Sequence, residues 1–315
     1  MRYEFAPLEG ITGYIYRNAH QAFFPSMDAY YTPFLTPKKG KGFTAREKND
    51  IAAEHNRGIR VIPQLLTNRP EGFLAAAERL AEQGFSEVNL NLGCPSGTVA
   101  AKKKGAAFLG EPEELDRFLE AVFRDCPLEI SVKTRIGVEA PEEFDRLLPI
   151  FNRYPIKQLT IHPRVLRDFY KNSPRLEVFA RAQAESENPV CYNGDLFCRA
   201  DVERFSAQFP ETDCLMLGRG MLINPMLVEN LRENSRPEVS RIRAFYGRLA
   251  EDYREVLSGE RDVLFKLKEL WSWQGQLFEG AEKHLKRLCK TQSLAEYQAA
   301  AEALFAECPV KEKLP

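Results

Sequence analysis

Eight short apolar runs, spaced by amphipathic stretches over the first two thirds of the chain, restrict the fold more than any other feature. They cover residues 3–6, 29–34, 60–66, 87–92, 129–134, 158–162, 189–192 and 214–217. In the fourth run Val88, Leu90 and Leu92 alternate with Asn89 and Asn91, the period of two of an extended segment. Between the runs, 71–83 and 112–124 carry apolar residues at i, i+3 and i+4, which predicts helices. Pro112 with Glu113 and Glu114 suits a helix N-terminus, where the missing proline N–H is not needed and acidic charge meets the helix dipole. A further helix is expected near 46–55. This alternation predicts an α/β fold, a (β/α)8 TIM barrel. An open doubly wound sheet is the competing arrangement, but no Gly-x-Gly-x-x-Gly follows the first run.

The residues that interrupt the runs share a placement. Pro7, Gln64, Cys94, Lys133, His162, Asn193 and Gly218-Arg219 each stand at or just past the C-terminal end of a run. In such a barrel these ends form one rim, and catalysis occurs there. Cys94 lies between Gly93 and Pro95, one turn after Asn91. That setting favours chemistry over a packed small hydrophobe. Lys133 sits in an apolar strand, where an ammonium is costly without a partner, and an anionic ligand would be one. His162 shares the rim with it. Pro7, Leu8 and Gly10 would let backbone lie close to a planar ligand, although an ordinary turn would look the same. Asn193-Gly194-Asp195 and Gly218-Arg219 follow the seventh and eighth runs, where TIM barrels build phosphate sites. FMN or a sugar phosphate would both serve.

From about residue 240 the alternation stops. Stretches 242–256, 261–274, 280–289 and 294–305 read as helices with no strand between them. A barrel domain at 1–236 and a small all-helical domain at 237–315 are therefore expected, with a frayed tail at 311–315. Formal net charge is −1, so a nucleic-acid partner must be held by local patches. Three are visible: Lys38, Lys39 and Lys41 with Arg46 and Lys48; Lys102, Lys103 and Lys104; and Lys283, Lys286, Arg287 and Lys290. Each alone would read as solvated surface. The 7 cysteines are scattered without a Cys-x-x-Cys pair, which predicts reduced thiols in the cytoplasm and no metal. No apolar leader opens the chain and no run nears the roughly 18 residues of a membrane span. A monomer with no membrane partner is expected.

Asn91-Leu-Gly-Cys94-Pro95 resembles the signature of the tRNA-dihydrouridine synthases. The series Ala-Pro7-Leu8-Glu-Gly, Gln64-Leu, Lys133-Thr-Arg135, His162-Pro-Arg164, Asn193-Gly194-Asp195 and Gly218-Arg219 is similar to that family's pattern over nearly the whole barrel. The resemblance implies an FMN-dependent enzyme that reduces the C5–C6 bond of uridines in tRNA, with NADPH as reductant. It implies that Pro7, Leu8, Gln64, Lys133, His162, Asn193, Gly194, Asp195, Gly218 and Arg219 contact FMN. Asn91, Arg164 and Tyr170 would face the uracil, Lys102 and Lys104 the RNA, and Cys94 would be the general acid. The C-terminal helices would bind RNA, with 261–268, Trp271 and Trp273 similar to the family's RNA-facing helix, although both tryptophans also suit helix packing. The chain departs from the pattern at Gly97, Leu66-Thr67 and Val165. Reduction of uracil needs a hydride at C6 and a proton at C5. A thiol of ordinary pKa near 8.5 holds such a proton at neutral pH, and a stacked base must first be turned out. Two other readings fit parts of this set: an FMN barrel enzyme acting on a free pyrimidine or enone, and an RNA-binding protein with a vestigial flavin site.

Overall fold

The computed structural model describes residues 1–37 and 42–311. The basic cluster expected at Lys38, Lys39 and Lys41, and the tail beyond Lys311, lie outside the described residues. Nine strands form one parallel sheet: β1 (Arg2–Phe5), β2 (Ala29–Tyr31), β3 (Val61–Ile62), β4 (Gln64–Leu65), β5 (Glu87–Leu92), β6 (Glu129–Arg135), β7 (Leu159–His162), β8 (Val190–Tyr192) and β9 (Cys214–Leu217). Their order is β3-β2-β1-β9-β8-β7-β6-β5-β4. Strands β3 and β4 are one predicted run cut at Pro63, which has no N–H to give a ladder. The proline carbonyl still accepts from Asn89 N–H at 2.8 Å. With β3 paired to β2 and β4 to β5, the ring closes as the expected TIM barrel.

The predicted helices form at Pro70–Glu82 and Pro112–Asp125, each with proline in its first turn. The stretch near 46–55 is a helix, Ala45–Ile51, followed by a 3-10 turn, Ala53–His55. A capping box starts it: Thr44 accepts from Glu47 N–H, and the Glu47 carboxylate accepts from Thr44 N–H.

Two apolar clusters hold the barrel. The larger lies between sheet and helices. The smaller, inside the ring, contains Ala6, Ala29, Tyr31, Ile62, Cys191, Cys214 and Met216. Alternation along β5 and β6 turns Asn89, Asn91, Ser131 and Lys133 to the same interior. The polar interior is hydrogen-bonded rather than filled by branched aliphatics. Gln64 Nε2 donates to Asn89 Oδ1 at 2.7 Å, and Asn89 Nδ2 to Ser131 Oγ at 3.0 Å. Buried amides paired in this way lose little on leaving water.

The C-terminal helices are Val239–Val256, Glu260–Gln274, Glu282–Lys290 and Leu294–Glu307. The first packs on the barrel helix Tyr14–Phe23, with the Phe245 ring edge-on to Tyr16 and Phe24 at 5.6 and 5.3 Å. Its apolar side chains belong to the same cluster as the barrel's. Residue 237 falls in the connection between helix Leu227–Glu233 and helix Val239–Val256. Trp271 is 1% exposed and its indole N–H donates to Tyr297 Oη at 2.7 Å. It packs between helices, and the exposed aromatic of that helix is Phe265. Among the described residues no helix is long and apolar enough to cross a membrane.

Candidate active site

The loop after β5 is built around Asn91. Its Oδ1 accepts from the N–H groups of Gly93 and Cys94 at 3.0 and 2.9 Å, a side-chain turn that mimics a backbone one. Its Nδ2 donates to Gln64 Oε1 at 2.6 Å. Gly105 supports the loop from below. It has φ +59°, and a Cβ there would lie 2.8 Å from the Cys94 carbonyl oxygen. From the side, Arg135 Nε donates to Gly93 O at 3.0 Å, while its two other nitrogens donate to Val165 O and Phe169 O at 2.9 and 2.7 Å. One guanidinium thus ties the loop after β5 to the loop after β7. The Cys94 thiol is half-buried. Burial pushes its pKa up, against a lowering from Ser96 N–H; Glu9 adds to the rise, and Arg135 and Lys133 oppose it. The sulfur keeps its proton at neutral pH.

Lys133 comes from the next strand. Its Nζ lies 3.9 Å from where a Gly93 Cβ would be. Among the described residues it has no ion-pair partner. Burial, then the Arg135 charge, pushes its pKa down to about 8. His162 is buried, and its pKa falls well below the usual value, first from burial and then from Arg135, Lys133, Arg164 and Arg219. The ring is neutral. Its Nε2 is 3.0 Å from Arg164 Nη1; a guanidinium only donates, so Nε2 accepts and Nδ1 carries the hydrogen.

The far wall is an arginine–aspartate knot. Arg164 grips Asp195 with both terminal nitrogens, its Nε donates to Asn172 O, and it is 1% exposed. The Arg164 guanidinium, expected from the resemblance to face the uracil, lies inside the wall and holds His162 and Asp195. Arg219 also donates to Asp195 Oδ1. Its guanidinium carbon lies 4.6 Å from the Tyr170 ring centre and 4.9 Å from that of Phe197. Tyr170 is half exposed and is 6.1 Å from the His162 ring. Asn193 Nδ2 donates to Met216 O at 2.7 Å and braces β8 against β9. Gly194 has no room for a side chain, because a Cβ would fall 2.0 Å from Tyr192 Oη. A Cβ on Gly218 would lie 3.4 Å from Ala6 Cβ and 3.9 Å from Leu8 Cδ2, so the glycine joins the end of β9 to the end of β1. Pro7 and Leu8 are half-buried there, with Leu8 N–H donating to Thr12 Oγ1 at 2.8 Å.

Of the basic triplet, Lys103 turns away to pair with Glu111. Lys102 is exposed. Lys104 is half-buried, its pKa lowered by burial and then by Lys102 and Arg69. Reasoning from sequence overlooked Asn89, Ser131, Gly105 and the clamping role of Arg135. An arginine closing an apolar strand was the available signal for the last.

The chain matches the family model described as dihydrouridine synthase (Dus) over residues 4–310. It is 27% identical over 293 residues to a Synechocystis sp. protein named "Probable tRNA-dihydrouridine synthase 1", covering 90% of this chain and 77% of that one. It is 25% identical over 315 residues to a Staphylococcus aureus protein named "Probable tRNA-dihydrouridine synthase", covering 96% and 92%. Among solved structures, old yellow enzyme from Trypanosoma cruzi superposes with a TM-score of 0.53 at 11% identity, over 81% of this chain and 94% of that one. Morphinone reductase in complex with tetrahydroNAD gives 0.51 at 14%, over 75% and 88%. Such distant likeness speaks to the barrel alone. The family match spans almost every residue described above, and the chain belongs to the dihydrouridine synthase family.

Proposed function

We propose that the protein is a tRNA-dihydrouridine synthase that saturates the C5–C6 bond of uridines in tRNA, with FMN at the barrel mouth and NADPH as reductant. One observation carries this reading: an ammonium without a counter-charge among the described residues, Lys133, and a protonated thiol, Cys94, meet at Gly93 on the rim.

The donor set fits FMN. Lys133, Arg219 and neutral His162 face a mouth where, among the described residues, Asp195 is already shared by two arginines and Glu9 is paired with Arg46. That surplus of donors suits an anion. Lys133, His162, Gln64, Asn193, Gly194, Gly218 and Arg219 would hold it, with Pro7 and Leu8 beneath and Asp195 positioning Arg219. When bound and reduced, FMN supplies a hydride. The chain's own residues do the rest. Lys133 offers fixed positive charge where negative charge develops. Cys94 Sγ holds the proton that C5 receives. Asn91 and Arg135 keep that sulfur in place, and Tyr170 offers a ring face to the turned-out base. Arg164 acts on this face through His162 and Asp195. Outside the mouth, exposed Lys102 with Lys104 and Arg69, and the exposed face of Lys283, Lys286, Arg287 and Lys290 on the C-terminal helix Glu282–Lys290, track RNA phosphates. The cysteines are all free, in keeping with work in the cytoplasm.

The test is reduction of unmodified tRNA and of free uracil by the purified protein with NADPH, reading dihydrouridine by mass. Dihydrouridine in tRNA alone is expected, with Cys94→Ala slower by about 10²–10⁴-fold, the span of a positioned acid. Equal reduction of free uracil, or a Cys94→Ala variant at the normal rate, would overturn it.

A further inference from the structure

The opposite end of the barrel interior holds a second cluster of reactive side chains that the rim does not use. Glu4 on β1, Cys191 on β8 and Cys214 on β9 are contributed by three neighbouring strands. Their carboxylate oxygen and two sulfurs all lie within 4.8 Å of one another, and all three residues are buried. The pairing of Tyr192 with Leu215 puts Cys191 directly opposite Cys214. The interior of such a barrel is ordinarily filled by branched aliphatic side chains, and here two thiols and an acid occupy that position. Spacing along the chain hides the cluster, because the cysteines are far apart in sequence and lack a Cys-x-x-Cys pattern. Only closure of the ring makes them neighbours.

We infer that Glu4, Cys191 and Cys214 form a binding site for a thiophilic divalent metal of the zinc type, fastening β1, β9 and β8 at the barrel floor. Two soft sulfurs and one carboxylate are a zinc-like donor set, with a fourth position left for water. Zinc–sulfur bonds of about 2.3 Å put tetrahedral ligands roughly 3.8 Å apart, within the 4.8 Å that bounds the present spacing. The outer partners are in place. Tyr31 Oη and Gln158 Nε2 donate to Glu4 Oε2 at 3.0 and 2.8 Å, which orients the carboxylate and leaves Oε1 outside both bonds. Binding releases both thiol protons to solvent, so a dication, two thiolates and a carboxylate carry one net negative charge. Arg2 stands next to it. Its guanidinium donates to Gln158 Oε1 at 3.3 Å and lies 3.7 Å from Asp213, both charges partly exposed at the barrel's end. The Arg2 guanidinium is the positive charge beside the cluster, with Asp213 at its outer, exposed side.

The experiment uses the full chain, refolded with zinc and then desalted, with bound metal counted per chain, and repeated with cadmium to read thiolate-to-metal absorption in the ultraviolet. About one metal per chain is expected in wild type and in Cys94→Ala. Loss of metal and of the cadmium band is expected in the Cys191→Ala/Cys214→Ala double variant. Should that variant fail to refold, Cys214→Ala alone is read, with affinity expected to fall by more than the about 10–100-fold that loss of an outer partner causes. Wild type without metal, or variants that keep it, would overturn the site.

Discussion

At the scale of single residues, the rim is governed by how few counter-charges it contains. Lys133, pushed down to about 8 by burial and by Arg135, is charged below that value and neutral above it. An anion bound beside it favours the charged form. FMN affinity of the apoprotein should therefore fall as pH rises through about 8. Lys133→Met should bind at least about tenfold more weakly, a loss of about 1.4 kcal/mol, and without that step. Titration calorimetry across the alkaline range checks this; a wild-type affinity flat in pH would contradict it. Lys133 was legible in the sequence as an ammonium inside an apolar strand, and His162 only because it shares the rim with a lysine and an arginine. Arg164 was not. Whether an arginine faces the ligand or the wall is decided by Asp195, whose carboxylate arrives from another strand's loop. Asn91 shows the same limit: the uracil contact came from the resemblance alone, and the sequence did not reveal that both of its polar atoms hold the Cys94 turn and Gln64.

At the scale of elements, helix Glu260–Gln274 does more than cover the barrel. Lys266 Nζ donates to Gly10 O at 2.6 Å, in the loop after β1, and Gln274 Nε2 donates to Ile223 O at 2.9 Å, just after β9. The helix therefore pins the two loops that meet at Gly218. Lys266→Met should loosen the first of them. Hydrogen exchange at residues 8–12 should quicken, while the melting midpoint falls by about 2 °C, since one such bond is worth about 1 kcal/mol. Unchanged exchange there would separate the helix from the site. Strands and helices were largely readable from period and cap residues. The break at Pro63 was visible as a proline, but its harmlessness was not, because it depends on β2 and β5 pairing to either side. The docking of these helices was invisible, since amphipathic faces do not name their partners.

At the scale of the whole molecule, His20 marks where barrel and C-terminal helices join. Its nitrogens lie 2.8 Å from Tyr30 Oη and 2.9 Å from Pro225 O, and its ring packs against Phe5, Phe24 and Phe245. Complete burial pushes its pKa down to about 4. Between the unfolded value near 6.5 and 4 the unfolded chain takes up a proton that the folded one refuses. Stability is therefore lost as pH falls through that window, on the order of 3 kcal/mol in total. Melting curves of wild type and His20→Phe at neutral and mildly acidic pH should converge on acidification; parallel curves would remove His20 from the account. The apolar packing that surrounds this histidine continues from the ring into the terminal helices without a seam. On the proposed function, a tRNA would meet barrel and terminal helices as one continuous surface, so a change in how the terminal helices pack would alter which nucleotide reaches the mouth.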